Sequence, residues 1–213
     1  MTDSYRRAAG RGKRKHEEED KMNLPKLLLF LNQLEKLKCI TRHSWISNGR
    51  QESVAEHSWR LAVLVLVLKD NLKDYDIDKL VKMALFHDLG EVKFGDVPGF
   101  LKTQKDIENE AQALDELEDI FKELDISEFV DAAREFDKKE TNEAKLLNAL
   151  DKIEGLIQHN EADLSTWIER EYELNLTYGV EESEIDPLLK DLRNQVKEVA
   201  QRKMKEKEPR SVE

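Results

Sequence analysis

An all-α fold is what this sequence predicts, and three observations predict it. Leucine, glutamate, lysine and aspartate dominate, while the 213 residues include only 8 glycines and 4 prolines, a balance that favours helices over strands. Apolar residues recur at three- and four-residue spacing along most of the chain, the period of helices packed on one face. No stretch alternates apolar and polar residues over a strand's length, and no internal repeat is present. The length suits one sizeable domain with its own core. The expected division is a charged tail over residues 1–22, a helical domain over 23–205 and a short tail over 206–213.

The elements follow in order. Residues 1–22 hold a basic block (Arg6, Arg7, then Arg11 to Lys15) followed by an acidic one (Glu17 to Asp20) with no apolar period, so disorder is expected there. The first helix begins near Leu24 and Pro25, proline being suited to a first turn, and carries Leu27, Leu28, Leu31, Leu34 and Leu37. Residues 39–51 lack a period and contain Gly49, which predicts a connecting loop. Ser53 and Glu56 form an S-x-x-E capping box that opens a second helix. Its continuation over residues 61–68 is apolar on every face, which predicts a central, buried helix. A third helix runs from Asp76 or Asp78 to Gly90, read as its C-cap. Residues 91–99, with Gly95, Pro98 and Gly99, read as loop. Further helices are expected near 104–123, 127–137, 141–160, 161–175 and 184–206, with the lysine-rich end of the last one solvated.

Composition narrows the function. A net charge of −11 argues against general nucleic-acid binding, which needs a basic surface. An anionic substrate would have to be drawn by local positive charge. The longest apolar run, eight residues, is far too short to span a bilayer, and no secretory signal is evident. The single cysteine, Cys39, excludes an internal disulfide and points to a reducing, cytoplasmic setting. It is expected to be a buried or half-buried structural thiol.

The chemistry-bearing pattern lies on three predicted helices. His57 sits one turn before Leu61. His87 and Asp88 fall at the last turn of the third helix, and Asp151 sits four residues after Leu147. A carboxylate on a buried stripe is costly unless a cation neutralises it. Carbonyls at the end of a helix also favour positive charge. A lone histidine on an apolar face is more often a satisfied core residue. The conjunction of two imidazoles and two carboxylates carries the argument. That donor set suits one divalent ion (Mn, Fe, Co, Ni, Mg or Zn) and leaves positions open for water and substrate oxygen.

The H…HD…D order of His57, His87-Asp88 and Asp151 resembles the signature of the HD-domain superfamily of metal-dependent phosphohydrolases, and within it the 5′-deoxynucleotidase branch. Three segments carry the resemblance: Glu52-Ser53-Val54-Ala55-Glu56-His57-Ser58; Ala84 through Val92 with Gly95-Asp96-Val97-Pro98; and Glu143-Ala144-Lys145 through Asp151-Lys152. The resemblance implies an HD-domain helical bundle with a metal site in its core, held by His57, His87, Asp88 and Asp151. It implies Glu91 as the acid or base that handles the proton, and Asp96 at the sugar or the water. It implies Arg42 on the phosphate and Trp45 near the sugar, and it implies a homodimer. The expected reaction is removal of the 5′-phosphate from (deoxy)nucleoside monophosphates by metal-activated water. Phosphate monoester hydrolysis suits the residues independently. A metal neutralises phosphoryl charge and acidifies water, a guanidinium clasps phosphate, and a buried carboxyl passes a proton.

Two other readings stay open. One is an HD phosphohydrolase acting on a nucleoside triphosphate, a cyclic nucleotide or guanosine tetraphosphate. The short chain without long insertions argues against the triphosphate. The other is a catalytically silent nucleotide-sensing module, which the intact ligand set and Glu91 disfavour. Arg50 and Lys102 read equally as surface residues, Trp45 also reads as core, and His43 and His159 have no partner pattern.

Overall fold

The computed structural model describes residues 22–207. The expected charged tail at the N-terminus falls outside that span except for Met22. Of the expected C-terminal tail only Glu206 and Lys207 are described, both still helical.

Helix α1, Leu24–Cys39, starts as its sequence predicts, with Asn23 capping the amide of Lys26 and Pro25 in the first turn. The expected loop after it is instead a small antiparallel hairpin, β1 (Thr41–Trp45) with β2 (Gln51–Ser53). Strands this short leave too few residues for a period-two signal. The connecting turn uses Gly49 at φ +87, a conformation that favours glycine. Ser53 ends β2 and caps α2 (Val54–Leu68) through the predicted box with Glu56. Cys39 is exposed rather than buried, because it lies on the outward side of α1's last turn.

Helix α2 packs on α3 (Ile77–Phe86) and α7 (Asn142–Glu161). It is not buried all round: Leu61 and Val65 are fully covered, whereas Trp59, Leu66 and Val67 are exposed. Helix α3 ends at His87, earlier than expected. Gly90 does not close it in a left-handed turn; its φ is −61 and it precedes a short helix, α4 (Glu91–Phe94), where loop was expected. Gly90 serves close packing: a Cβ there would stand 3.0 Å from the Cβ and carbonyl oxygen of Glu110. Then come α5 (Gln104–Ile120), a 3₁₀ turn, α6 (Ser127–Lys138), α7, α8 (Glu169–Thr177), α9 (Val180–Ser183) and α10 (Pro187–Lys207). At the expected solvated end of α10, Lys203 instead donates to the carbonyls of Asn160 and Ala162 at the end of α7.

Among the described residues two large apolar clusters dominate, with a small third one at Leu164, Trp167 and Ala200. One joins α2, α3, α6, α7 and α10 around Leu61, Leu80, Leu147 and Leu150. The other joins α1, α4, α5 and α6 around Phe30, Leu89, Leu114 and Phe121. Along α2 the chain passes from Val54 in the second cluster to Leu61 in the first, and His57 lies between them. Beyond α3 it passes from Ala84 in the first to Leu89 in the second, and His87 and Asp88 lie between them. The polar residues occupy the seam.

Candidate active site

His57 on α2, His87 and Asp88 just beyond α3, and Asp151 on α7 meet at that seam. His57 Nε2 lies 3.3 Å from His87 Nε2 and 3.0 Å from Asp151 Oδ1. His87 Nε2 lies 3.1 Å from Asp88 Oδ2. The outer nitrogens decide what the inner ones offer. His57 Nδ1 donates to Glu154 Oε2 at 2.5 Å, and His87 Nδ1 donates to the carbonyl of Ala84 at 3.0 Å. Each bond holds the proton on Nδ1 and turns the Nε2 lone pair inward. Two inward lone pairs cannot hydrogen-bond each other, and two carboxylates beside them add negative charge. His57, His87 and Asp88 offer donor atoms within 4.8 Å of one another, with Asp151 3.0 Å from His57, so the residues fit a metal ion.

A proton competes with a cation for Nε2: burial and the Arg42 charge oppose protonation of His57, but Glu154 and Asp151 outweigh them and hold it at about 10. The site therefore draws positive charge. Burial works against ionised Asp88, yet His87, His57 and Arg42 keep it far below the ordinary carboxylate range.

A cavity of about 280 Å³ opens beside this cluster, lined among others by Arg42, Asp88, Glu91, Asp96, Lys102 and Asp151. Glu91, at the start of α4, is 3% exposed, and its Oε2 has no hydrogen-bond partner. Burial, with the charges of Asp88 and Asp96, pushes its carboxyl up to about 10. It thus carries a proton at neutral pH. Burial also raises Asp96, against the pull of Arg42. Arg42 reaches in from β1; its Nη1 lies 3.7 Å from Glu52 Oε2 and 3.8 Å from Glu154 Oε2. That nitrogen makes no hydrogen bond but is held between the two carboxylates, while the Arg42 side chain lines the cavity. Lys102 is tied to Glu110 at 2.8 Å, and Lys139 and Lys152 complete the basic lining.

A second cavity adjoins the first, sharing Arg42, Gly99, Asp151, Lys152 and Tyr178 with it. Its remaining lining is chiefly His43, Ser44, Phe100, Leu156, His159 and Leu174.

The structure thus brings Arg42, Glu91 and Asp96 to the four ligand residues. It does not bring Trp45, which is half-buried and lines a narrow space with Ala162, Thr166 and Trp167 that shares His43, Ser44 and His159 with the second cavity. Its carbonyl accepts from Gln158 at 2.7 Å. Arg50 remains a surface residue paired with Glu56, whereas Lys102 turns inward to the cavity. Sequence reasoning passed over Glu154, although its place three residues after Asp151 on an apolar helix was a signal. It also passed over Glu52, His43 and His159, which have no such local mark. His43 Nε2 lies 3.2 Å from Glu171 Oε1, and His159 Nε2 lies 3.8 Å from the same oxygen.

A family model described as an HD domain matches residues 34–193. The chain is 30% identical over 139 residues to the 5′-deoxynucleotidase HDDC2 of Homo sapiens, covering 63% of this chain and 67% of that protein. It is 33% identical over 141 residues to the Dictyostelium discoideum protein of the same name, covering 62% and 74%. A crystal structure of a predicted metal-dependent phosphohydrolase from Magnetospirillum magnetotacticum superposes with a TM-score of 0.71 at 22% identity. The match covers 86% of this chain and 98% of that one. The family match takes in most of both large apolar clusters and every residue of the H…HD…D pattern, and this chain belongs to the HD-domain family.

Proposed function

We infer that this protein is a metal-dependent phosphohydrolase that removes the 5′-phosphate from (deoxy)nucleoside monophosphates. The observation that carries the reading is the meeting of His57, His87, Asp88 and Asp151 beside a cavity lined by Arg42 and by a buried Glu91 whose carboxyl is pushed well up. The two relatives are named 5′-deoxynucleotidases, which supports the substrate class.

A divalent ion held by those four residues supplies charge neutralisation on the phosphoryl oxygens and acidifies water. Arg42 grips the phosphate, its planar fork matching two oxygens, and the lysines of the cavity add attraction. As a water oxygen bonds to phosphorus and the bond to the 5′-oxygen breaks, Glu91 delivers its proton to the leaving oxygen, so that a neutral hydroxyl departs, and the proton the water sheds restores Glu91. Asp96 accepts a hydrogen bond from the sugar. Trp45 is given no substrate contact.

A homodimer and a cytoplasmic setting belong to the same reading. Trp59, Val63, Leu66 and Val67 form an exposed apolar stripe on one face of α2, a surface suited to a second copy. An exposed, unpaired Cys39 suits a reducing compartment. No helix among the described residues is long and apolar enough to cross a membrane.

The test is phosphate release from deoxy- and ribonucleoside mono- and triphosphates by protein stripped of metal and resupplied with Mn, Fe, Co, Ni, Mg or Zn. Release from monophosphates that needs metal and vanishes in Asp88→Ala is expected. Hydrolysis of triphosphates alone, or none with any metal, would refute the substrate class.

A further inference from the structure

We propose that Lys139 captures the anionic end of the substrate at the opening of the cavity beside the four proposed ligand residues. The proposal rests on the nucleotide reading above and deepens it, assigning to one side chain the step before the phosphate reaches Arg42.

The backbone first marks this residue. Lys139 follows the last turn of α6 at φ 51 and ψ 34. This is the left-handed conformation, in which a Cβ crowds the next carbonyl oxygen. Helices that end this way usually place glycine there. Among the described residues the other non-glycine with a positive φ is Asp125, whose short polar side chain tolerates the conformation; a lysine has no such relief. Capping does not explain the choice. The Lys139 amide closes the helix on the Glu135 carbonyl at 3.2 Å, a bond that glycine would make equally. Lys138 already supplies a cation in the last turn, where the helix dipole favours one. A strained backbone kept in spite of an easier residue points to the side chain.

That side chain lines the cavity of Asp88, Glu91 and Asp96. Of the lining residues only Gly99 and Lys139 are exposed. They mark the opening, and Gly99 brings no side chain to it. The Lys139 ammonium lies over the ring of Phe136, 5.0 Å from its centroid. Phe136 packs T-shaped against His87 at 4.8 Å. An aromatic face holds a cation without neutralising it, so the ammonium stands one ring away from a proposed metal ligand with its charge intact. The other cations of the lining are committed. Lys102 pairs with Glu110 at 2.8 Å, Lys152 pairs with Glu182, and Arg42 is held between Glu52 and Glu154. Among the described residues no carboxylate lies within ion-pair distance of Lys139. A phosphate approaching a chain of net charge −11 therefore meets this exposed, unpaired cation at the entrance, where local charge raises the rate of encounter.

The experiment uses the full-length, metal-loaded protein with two readouts: steady-state hydrolysis of deoxynucleoside monophosphates and calorimetric titration with inorganic phosphate. Both are run at about 0.01 M and about 1 M salt, over which the screening length falls from about 30 Å to about 3 Å. The variants are Lys139→Gln, Lys139→Arg and Lys139→Gly, each with a thermal melt. Lys139→Gln is expected to lower kcat/KM and phosphate affinity about three- to tenfold at low salt, the loss falling in KM rather than kcat. At high salt it should lie within about twofold of wild type. Lys139→Arg, which keeps the charge, is expected to recover most of the loss. Lys139→Gly is expected to melt about 2–4 °C higher than wild type, since glycine relieves the left-handed backbone, yet to bind as poorly as Lys139→Gln. A glycine variant that is more stable and fully active would overturn the proposal. So would losses that persist at high salt, or a wild type that binds no phosphate. A salt-dependent loss of phosphate affinity in a protein that hydrolyses no monophosphate would remove the reaction and uphold the capture. Hydrolysis of monophosphates with indifferent variants would remove the role of Lys139 alone.

Discussion

Glu154 sits behind the proposed metal-binding residues. It is 1% exposed, accepts from His57 Nδ1 at 2.5 Å and from Arg60 Nε at 2.5 Å, and lies 3.8 Å from Arg42. One carboxylate thereby orients a proposed metal ligand and steadies the guanidinium expected to grip phosphate. Glu154→Gln should lower metal affinity roughly 10- to 100-fold, the usual cost of losing such an orienting partner; metal titration of the stripped protein reads this directly. Glu91 makes a different prediction. Its carboxyl ordinarily titrates near 4.5 and is pushed up to about 10 in the fold. Between those values the folded protein holds a proton that the unfolded chain has released, so stability falls as pH rises through that window. Glu91→Gln mimics the protonated form and removes the penalty. The metal-free variant should melt higher than wild type at pH 8 and about equally at pH 4. Its turnover should drop about 10²- to 10⁴-fold, the range for loss of a general acid. A variant that melts lower at pH 8 would contradict the buried, protonated carboxyl.

At the scale of elements, the site depends on how helices end. Ser53 closes the hairpin and opens α2, so one residue sets where the first turn, and His57 within it, begins. The end of α3 leaves the Ala84 carbonyl without a helical partner, and His87 takes it. Gly90 then lets α4 approach α5 with 3.0 Å between its missing Cβ and the Glu110 backbone oxygen. That oxygen belongs to a helix and cannot swing away, so Gly90→Ala should cost about 1–3 kcal/mol in denaturant unfolding. It should also shift Glu91, the next residue, and weaken turnover more than metal binding. Equal stability of the variant would show that α4 and α5 pack more loosely than this.

Over the whole molecule, charge and apolar surface have separate places. The chain carries a net charge of −11, yet Arg42, Lys102, Lys139 and Lys152 all line one cavity, a local field that draws an anion to an acidic protein. The apolar stripe of α2 faces outward, and Trp59 is 63% exposed within it. If a second copy covers that stripe, Trp59→Glu should convert a dimer to a monomer in analytical ultracentrifugation while the monomer keeps its fold. A monomeric wild type would refute the dimer.

What the sequence determined by itself is what local physics determines. Helical period, the Ser53 cap and the costly polar residues at 57, 87, 88 and 151 are legible because each depends on neighbours within a turn or two. The β1–β2 hairpin was too short to leave a period, and the exposure of α2 was not legible because an apolar helix face looks the same whether covered or bare. Only the tertiary structure decided that Glu154 reaches His57 across 97 residues. It alone set Ser44 and His159 around one space and kept Trp45 out of the cavity lined by Asp88, Glu91 and Asp151. These pairings arise from packing between distant elements, where a single polar residue carries no periodic mark, and so they become visible only once the helices have met.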